Sequence, residues 1–577
     1  MTTRHIMATL IVAVALSLTC PPHSAADQYA QARAPVAPPV PAETAAEAPS
    51  LERAYALEKA GKFDEAIAAY LDALLPAAPG QASFEAPLGV ARLSEDAGRL
   101  RDALLAAEAS AFGQPAGFAL PRAILMAKLG LHTDLAPALQ SALDEAQMAG
   151  GVPDAFLVLL RALIALAQTS PEATASALVG LFELVSPNAD VCQRGLERIE
   201  GTLKENPASL TLRGVALWTN DAVGNKQRAQ ELEGLLRGAP LEAGPAAELA
   251  QLAIDSRGWD AQLQAELAAL RQQGVPMTIG EVAPGPVPDA ENAAVLYQRV
   301  FQVEFAGQDG PPWQPVAGQP YIREFNTAVM GPEGLRVDAT TRELLAGPRA
   351  QEVLDTLRQA SLLPHSVFPL RWEDGFSMLL PHMASFRAST RVVATYALLL
   401  AEDGRVDEAL DWCLVALRMS GHAASEPTII AQLVSAAVQA IAFRTLRDIV
   451  SEAPVSPAVA ARYEEYLRGL SPHATFRASV VAERAAVCDI YTVLEGDLDK
   501  LYGILPLIGK GAPGFARLYC SPLARPLHKA DQLSYLQYVQ TALDTVDLPY
   551  RHAALVLTAM ETEFGGAGGN VLAAALM

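Results

Sequence analysis

Two stretches far apart in the chain, GKFDEAIAAYLDAL (Gly61–Leu74) and GRVDEALDWCLVAL (Gly404–Leu417), carry one pattern. Each opens on a glycine, continues with Asp-Glu-Ala, and then sets Leu, Ala and Leu at the same positions. A glycine at the head of such a run marks a tight turn, where a Cβ would crowd the chain. The apolar spacing behind it puts small and large side chains on one helical face. The pattern therefore calls for antiparallel helix pairs, with small residues where the helices cross and large ones filling beside them. Composition agrees, because Ala and Leu dominate a chain that is 51% hydrophobic and only 6% aromatic. Ala and Leu lose little entropy in a helix, whereas strands favour β-branched and aromatic side chains. The expected fold class is all-α.

The segment Tyr55–Leu74 resembles the tetratricopeptide repeat: Gly61 falls at the turn, Ala66 at the crossing, and Tyr70, Ala73 and Leu74 on the buried stripe. A second copy at Leu88–Ala109 has Gly98, Ala103 and Leu104 in matching places, at close to the roughly 34-residue period of that repeat. A third, around Gly130, is expected to be interrupted at Pro137. From there to residue 273 the helical pattern persists, as in Ala155–Gln168 and Trp259–Gln273, while the repeat signature fades. The resemblance implies an α-solenoid of tetratricopeptide-like hairpins over residues 51–273. At 577 residues the chain is expected to hold about two to four domains. An Ala/Pro-rich linker precedes the repeats at 27–50, and a Gly/Pro-rich linker at 274–288 divides them from a second helical domain at 289–564. A flexible tail is expected at 565–577.

Within the second domain, Asp289 is placed as a helix N-cap, and Gly307–Pro320 reads as a long loop carrying Trp313. Leu379, Met383, Phe386, Thr390, Val393, Ala397 and Leu400 recur at spacings of four and three, on one helical face. Gly404 makes the turn into the return helix. The next helix is read as Pro427–Val450, with Pro427 in its first turn and Ile430, Leu433, Val434, Ala437 and Ile441 facing inward. Further helices are expected at 457–470, 474–494 and 533–564. From residue 289 to about 561 the chain resembles a group of uncharacterised secreted helical proteins from GC-rich environmental bacteria. The segments ENAAVLYQRVF, LLPHMASFRASTRVVATYALLLAEDGRVDEALDWCLVALRMSGHAASEPTIIAQLV and YLQYVQTALDTVDLPYRHAALVLTAME carry this likeness. It implies an exported all-helical protein with no known activity, and further sequence beyond the equivalent of NVLAAALM.

The first 26 residues read as a signal peptide: Arg4 and His5, an apolar run at Ile6–Thr19, and Ser24-Ala25-Ala26 for cleavage before Asp27. The rival is lipidation at Cys20, but Ser17-Leu18-Thr19 fits a lipobox poorly. No later run has the uninterrupted apolar length of a membrane span. The chain is therefore expected in the periplasm or outside the cell. Cys192, Cys413, Cys488 and Cys520 would remain, and four cysteines allow three full pairings. Cys413 falls on an apolar helical stripe, as a small buried hydrophobe would. A net charge of −21 argues against nucleic acid as a partner.

His382, Arg387, Arg391, His422 and Glu426 are the candidate ligand-binding residues, with Arg444, Glu483 and Arg484 in the same half. A His/Glu/Arg cluster could do acid–base work or clamp a carboxylate; the same groups also tie helices together. No catalytic residue, metal site or cofactor is assigned. His422-x-x-x-Glu426 has metal-compatible spacing, but no HExxH accompanies it. Ser377 lacks the second glycine of a nucleophile elbow, and no P-loop is present. Trp313, Tyr321 and Trp372 could line a pocket or simply pack. Three functions follow: an exported scaffold that grips a protein or peptide partner in the cell envelope, an envelope-polymer hydrolase or lyase using the His/Glu/Arg set, or a binder of a small anion through Arg387 and Arg391. The second requires those groups to converge in a cleft.

Overall fold

The computed structural model describes residues 50–74, 85–111, 119–149, 152–301, 303–304, 314–315, 337–496 and 521–566. The expected signal peptide, Cys20, Trp313, Tyr321 and Cys520 lie outside them. The described residues are overwhelmingly helical, and the one sheet among them pairs Val303–Glu304 with Gln314–Pro315.

The first helices are α1 (Ser50–Lys59), α2 (Phe63–Leu74), α3 (Glu85–Leu93), α4 (Ala97–Ala111), α5 (Ala119–Lys128) and α6 (Leu135–Ala149). They are followed by α7 (Asp154–Thr169), α8 (Pro171–Glu183), α9 (Ala189–Glu205), α10 (Leu210–Ala222), α11 (Lys226–Arg237) and α12 (Pro245–Gln272). After the single turn Ile279–Val282 come α13 (Ala293–Phe301), α14 (Ala339–Ala346), α15 (Pro348–Ser361), α16 (Met383–Glu402) and α17 (Val406–Ala424). The last are α18 (Ile429–Glu452), α19 (Pro457–Gly469), α20 (Pro472–Gly496), α21 (Arg525–Thr545) and α22 (Tyr550–Gly566).

The α1–α2 and α16–α17 hairpins turn in the same way. Gly61 has φ +74° and Gly404 φ +76°, a region that other residues enter at a cost. Gly61 N–H bonds the Glu58 carbonyl at 3.0 Å and Lys62 N–H bonds Leu57 at 2.9 Å; Gly404 and Arg405 do the same to Ala401 and Leu400. These paired bonds satisfy the orphan carbonyls of the helix end. Ala66 and Ala409, the alanines of the shared motif, are fully buried.

Local readings of the sequence need correction at several points. Gly98 is not at a turn: Ser94–Asp96 make the bend, the Asp96 carboxylate accepts from Arg99 N–H at 2.8 Å, and Gly98 lies in the first turn of α4. Pro137 does not interrupt α6, because it sits in the first turn, where a missing N–H costs nothing. Pro427 lies before α18, whose N-cap is Thr428, with its hydroxyl accepting from Ala431 N–H at 3.1 Å. Leu379 lies outside α16 and is 53% exposed, while Met383, Phe386, Thr390, Val393, Ala397 and Leu400 are buried as expected. The helix expected at 533–564 is two, α21 and α22, separated at Pro549. Finally, α18 has the length and apolar composition to cross a membrane, although Gln432 and Gln439 break its apolar run.

Two large apolar cores organise the chain, and they do not divide it at a single point. The first joins residues between Ala54 and Ile254 with Val487, Ile490, Tyr491, Leu523, Leu527, Tyr535 and Val539. The second lies wholly between Ala293 and Tyr463. So the expected domain at 289–564 does not share one core: α20 and α21 return to pack on the N-terminal helices. Trp218 on α10 donates its indole N–H to the Leu523 carbonyl at 2.8 Å across this return. The expected linker at 274–288 is also anchored. Val275 and Met277 pack on a small cluster of Leu263, Leu267, Leu270, Cys488, Leu533 and Leu536, and Ile279 N–H bonds the Asp489 carboxylate at 2.7 Å.

Candidate functional site

The second core is held shut at one end by Asn292. Its side-chain amide donates to the Val367 carbonyl at 2.9 Å and accepts from Val367 N–H at 2.9 Å. Ala293 N–H bonds the His365 carbonyl at 2.7 Å. These bonds fasten the start of α13 to the 365–368 segment and set Phe368 over the loop leading into α16. There the Phe368 ring stacks on His382, with ring centroids 3.9 Å apart.

His382 Nε2 lies 2.9 Å from Glu426 Oε2. His382 is fully buried and Glu426 is 4% exposed, so the pair is sealed from water. The second carboxylate oxygen, Oε1, is buried without a hydrogen-bond partner.

His422, in the last turn of α17, is engaged at both nitrogens. Nε2 is 2.9 Å from the Leu363 carbonyl, and Nδ1 is 2.8 Å from the Tyr297 hydroxyl. A carbonyl only accepts, so Nε2 carries the hydrogen and Nδ1 accepts from Tyr297. Burial lowers the His422 pKa, and the neighbouring His365 charge acts in the same direction against the Leu363 hydrogen bond. Burial also raises the Tyr297 hydroxyl far above its ordinary value. Two aromatic rings link the histidines: Phe386 meets His382 edge-on at 6.3 Å and Tyr297 at 5.0 Å, and Tyr297 meets His422 edge-on at 5.7 Å.

The sequence-predicted residues therefore separate. His382, His422 and Glu426 gather at one end of the second core. Arg387 is exposed and Arg391 is half-buried. Burial lowers the Arg391 pKa, with the Arg387 charge adding to it. Tyr297, Phe368 and Asn292 complete the cluster and were missed from the sequence. Tyr297 stood in view within ENAAVLYQRVF, spaced i,i+4 from Phe301, but the 365–368 stretch has no periodicity to mark it.

Chemically, the cluster is a set of neutral or mutually compensated groups with aromatic walls. Among the described residues, no three His, Cys, Asp or Glu side chains gather as a metal site. Cys192, Cys413 and Cys488 are free thiols, raised to about 11, about 12 and about 11, each chiefly by burial. Such thiols are poor nucleophiles at neutral pH. No protein-family model, curated protein or solved structure matches this chain.

Proposed function

We propose that the chain is an exported, non-catalytic helical-repeat scaffold that binds a protein partner of the cell envelope, and that α18 presents the docking face. The observation that carries this reading is an inversion on α18. Its inward side is built from Ala431, Ser435, Val438, Ala442, Thr445 and Ile449. Several of its larger apolar side chains nevertheless face outward or sideways, while Val434 and Leu446 pack on the second core: Ile430 is 54% exposed, Phe443 and Val450 are exposed, and Leu433 is half-buried. Arg444 lies within the outward side, between Phe443 and Val450, exposed and without an ion-pair partner among the described residues.

An apolar surface that carries a free cation fits an amphipathic partner helix with an acidic residue beside its apolar face. Of the groups an enzyme would need, His382 and Glu426 are paired out of reach of solvent and His422 is bonded at both ring nitrogens. This arrangement favours the scaffold over the hydrolase reading.

The test is quantitative capture from an envelope extract by the chain lacking residues 1–26. A saturable, stoichiometric partner lost in the double variant Ile430→Asp, Phe443→Asp supports the reading, provided it is retained in Leu105→Asp. Leu105, on α4, is an apolar residue more exposed than either of them, at 63%. Equal binding by both variants would remove α18 as the docking face.

A further inference from the structure

Two arginines are buried to the same degree and treated oppositely. Arg92 is 3% exposed and forks onto Glu58, with Nε at 3.0 Å and Nη2 at 2.8 Å. The Glu58 carboxylate also accepts from Tyr70 and Ser186 at 2.7 Å each. Arg484, on α20, is 2% exposed and has no carboxylate within ion-pair reach among the described residues. Its Nε is buried without a hydrogen-bond partner, and its one bond runs from Nη1 to Gln540 Oε1 at 3.5 Å.

The groups around it deepen the anomaly. On α20, Glu483 is half-buried and forms no hydrogen bond among the described residues; desolvation among the packed helices pushes its carboxyl up to about 7. On α21, Tyr535 is 2% exposed and feels both Glu483 and Arg484, and its hydroxyl forms no hydrogen bond among the described residues. On α12, Glu266 acts on Arg484 only through space, as do Cys488 and Tyr535. A guanidinium cannot shed its proton to escape burial, as a lysine can. A buried charge of this kind calls for a counter-charge, and a carboxyl at about 7 is only partly ionised in neutral solution.

We propose that Arg484, at the junction of α12, α20 and α21, binds a small carboxylate anion, whose two oxygens match the guanidinium fork. Glu483 and Tyr535 flank it as the groups that hydrogen-bond whatever the carboxylate carries. Acetate is the simplest probe of this chemistry. The site is independent of the α18 docking face.

The experiment is thermal unfolding of the full chain as acetate replaces fluoride at constant ionic strength, together with acetate binding followed by saturation-transfer NMR. Wild-type protein is expected to gain melting temperature saturably with acetate, and Arg484→Lys, which keeps the charge but not the fork, to bind acetate about tenfold more weakly or worse. Tyr535→Phe, which keeps the packing, is expected to weaken binding to a lesser degree. If bromide stabilises as well as acetate does, the site takes any small anion and the carboxylate assignment is overturned. If acetate and fluoride give the same melting curve, or if acetate acts equally on wild type and Arg484→Lys, Arg484 is not an anion site.

Discussion

His382 and Glu426 are joined at 2.9 Å between the loop before α16 and the loop before α18, with neither side chain open to water. A buried pair is costly to break from one side, because the remaining partner keeps its desolvation and loses its compensation. Glu426→Ala is therefore expected to destabilise the second core by about 3 kcal/mol, read by urea denaturation. The double variant His382→Phe, Glu426→Leu should recover most of that loss, since an apolar replacement of both partners leaves no orphan. A double variant as unstable as the single one would mean that the pair does more than tie the loops together.

His422 makes stability depend on pH in a defined direction. Its folded-state pKa is depressed below 6.5 by burial, so the folded protein resists a proton that the unfolded chain accepts. Stability from this residue is complete above about 6.5 and is lost as pH falls from there toward the lower folded pKa. Chemical denaturation of wild type and His422→Gln over this range should show a gap that narrows with acidification. A gap independent of pH would show that His422 does not titrate differently in the two states.

One helix contains two glycines with opposite expectations. A Cβ on Gly195 would stand 2.5 Å from the Gly180 carbonyl oxygen and 2.9 Å from Glu183 Cβ, where α8 and α9 cross. On Gly201, in the same helix α9, it would meet nothing within 4 Å. Gly195→Ala should cost about 1–3 kcal/mol from overpacking, whereas Gly201→Ala should stabilise by up to about 1 kcal/mol through helix propensity. Paired thermal melts decide it, and the same sign for both would contradict the close crossing.

These residues also show what could be read in advance. The α16 stripe from Met383 to Leu400 was legible because large apolar side chains mark the buried face, and the turn at Gly404 because its glycine is sterically required. On α18 the same rule misassigned the face. Ile430, Leu433 and Ile441 look like core, yet the packed side uses Ala431, Ser435 and Ala442, whose small size lets neighbouring helices come close. The return of α20 and α21 to the first core rests on contacts such as Trp218 with Leu523, for which no local pattern exists. At the candidate site, His382, His422 and Glu426 were visible as residue types. The sealing of His382 and Glu426 was not, because it depends on Phe368, in a segment without periodicity that Asn292 fastens from far away in the chain.

The return of α20 and α21 predicts a cooperative first core. Trp218→Phe keeps an aromatic ring but removes the indole N–H bond to Leu523 and leaves a cavity, and should cost about 2–4 kcal/mol. Native-state hydrogen exchange should show α10 and α21 losing protection together. Loss confined to α21 would mean that it docks on the N-terminal helices without stabilising them.

The central claim is that this protein works through a surface on α18 rather than through chemistry in its core. A photo-crosslinking residue placed at Ala440, on the exposed side of α18, reads this most directly in intact cells, with one at Leu105 as the control. The account predicts one discrete crosslinked protein from Ala440 and none from Leu105. No discrete product at Ala440, or the same products from both positions, would contradict it.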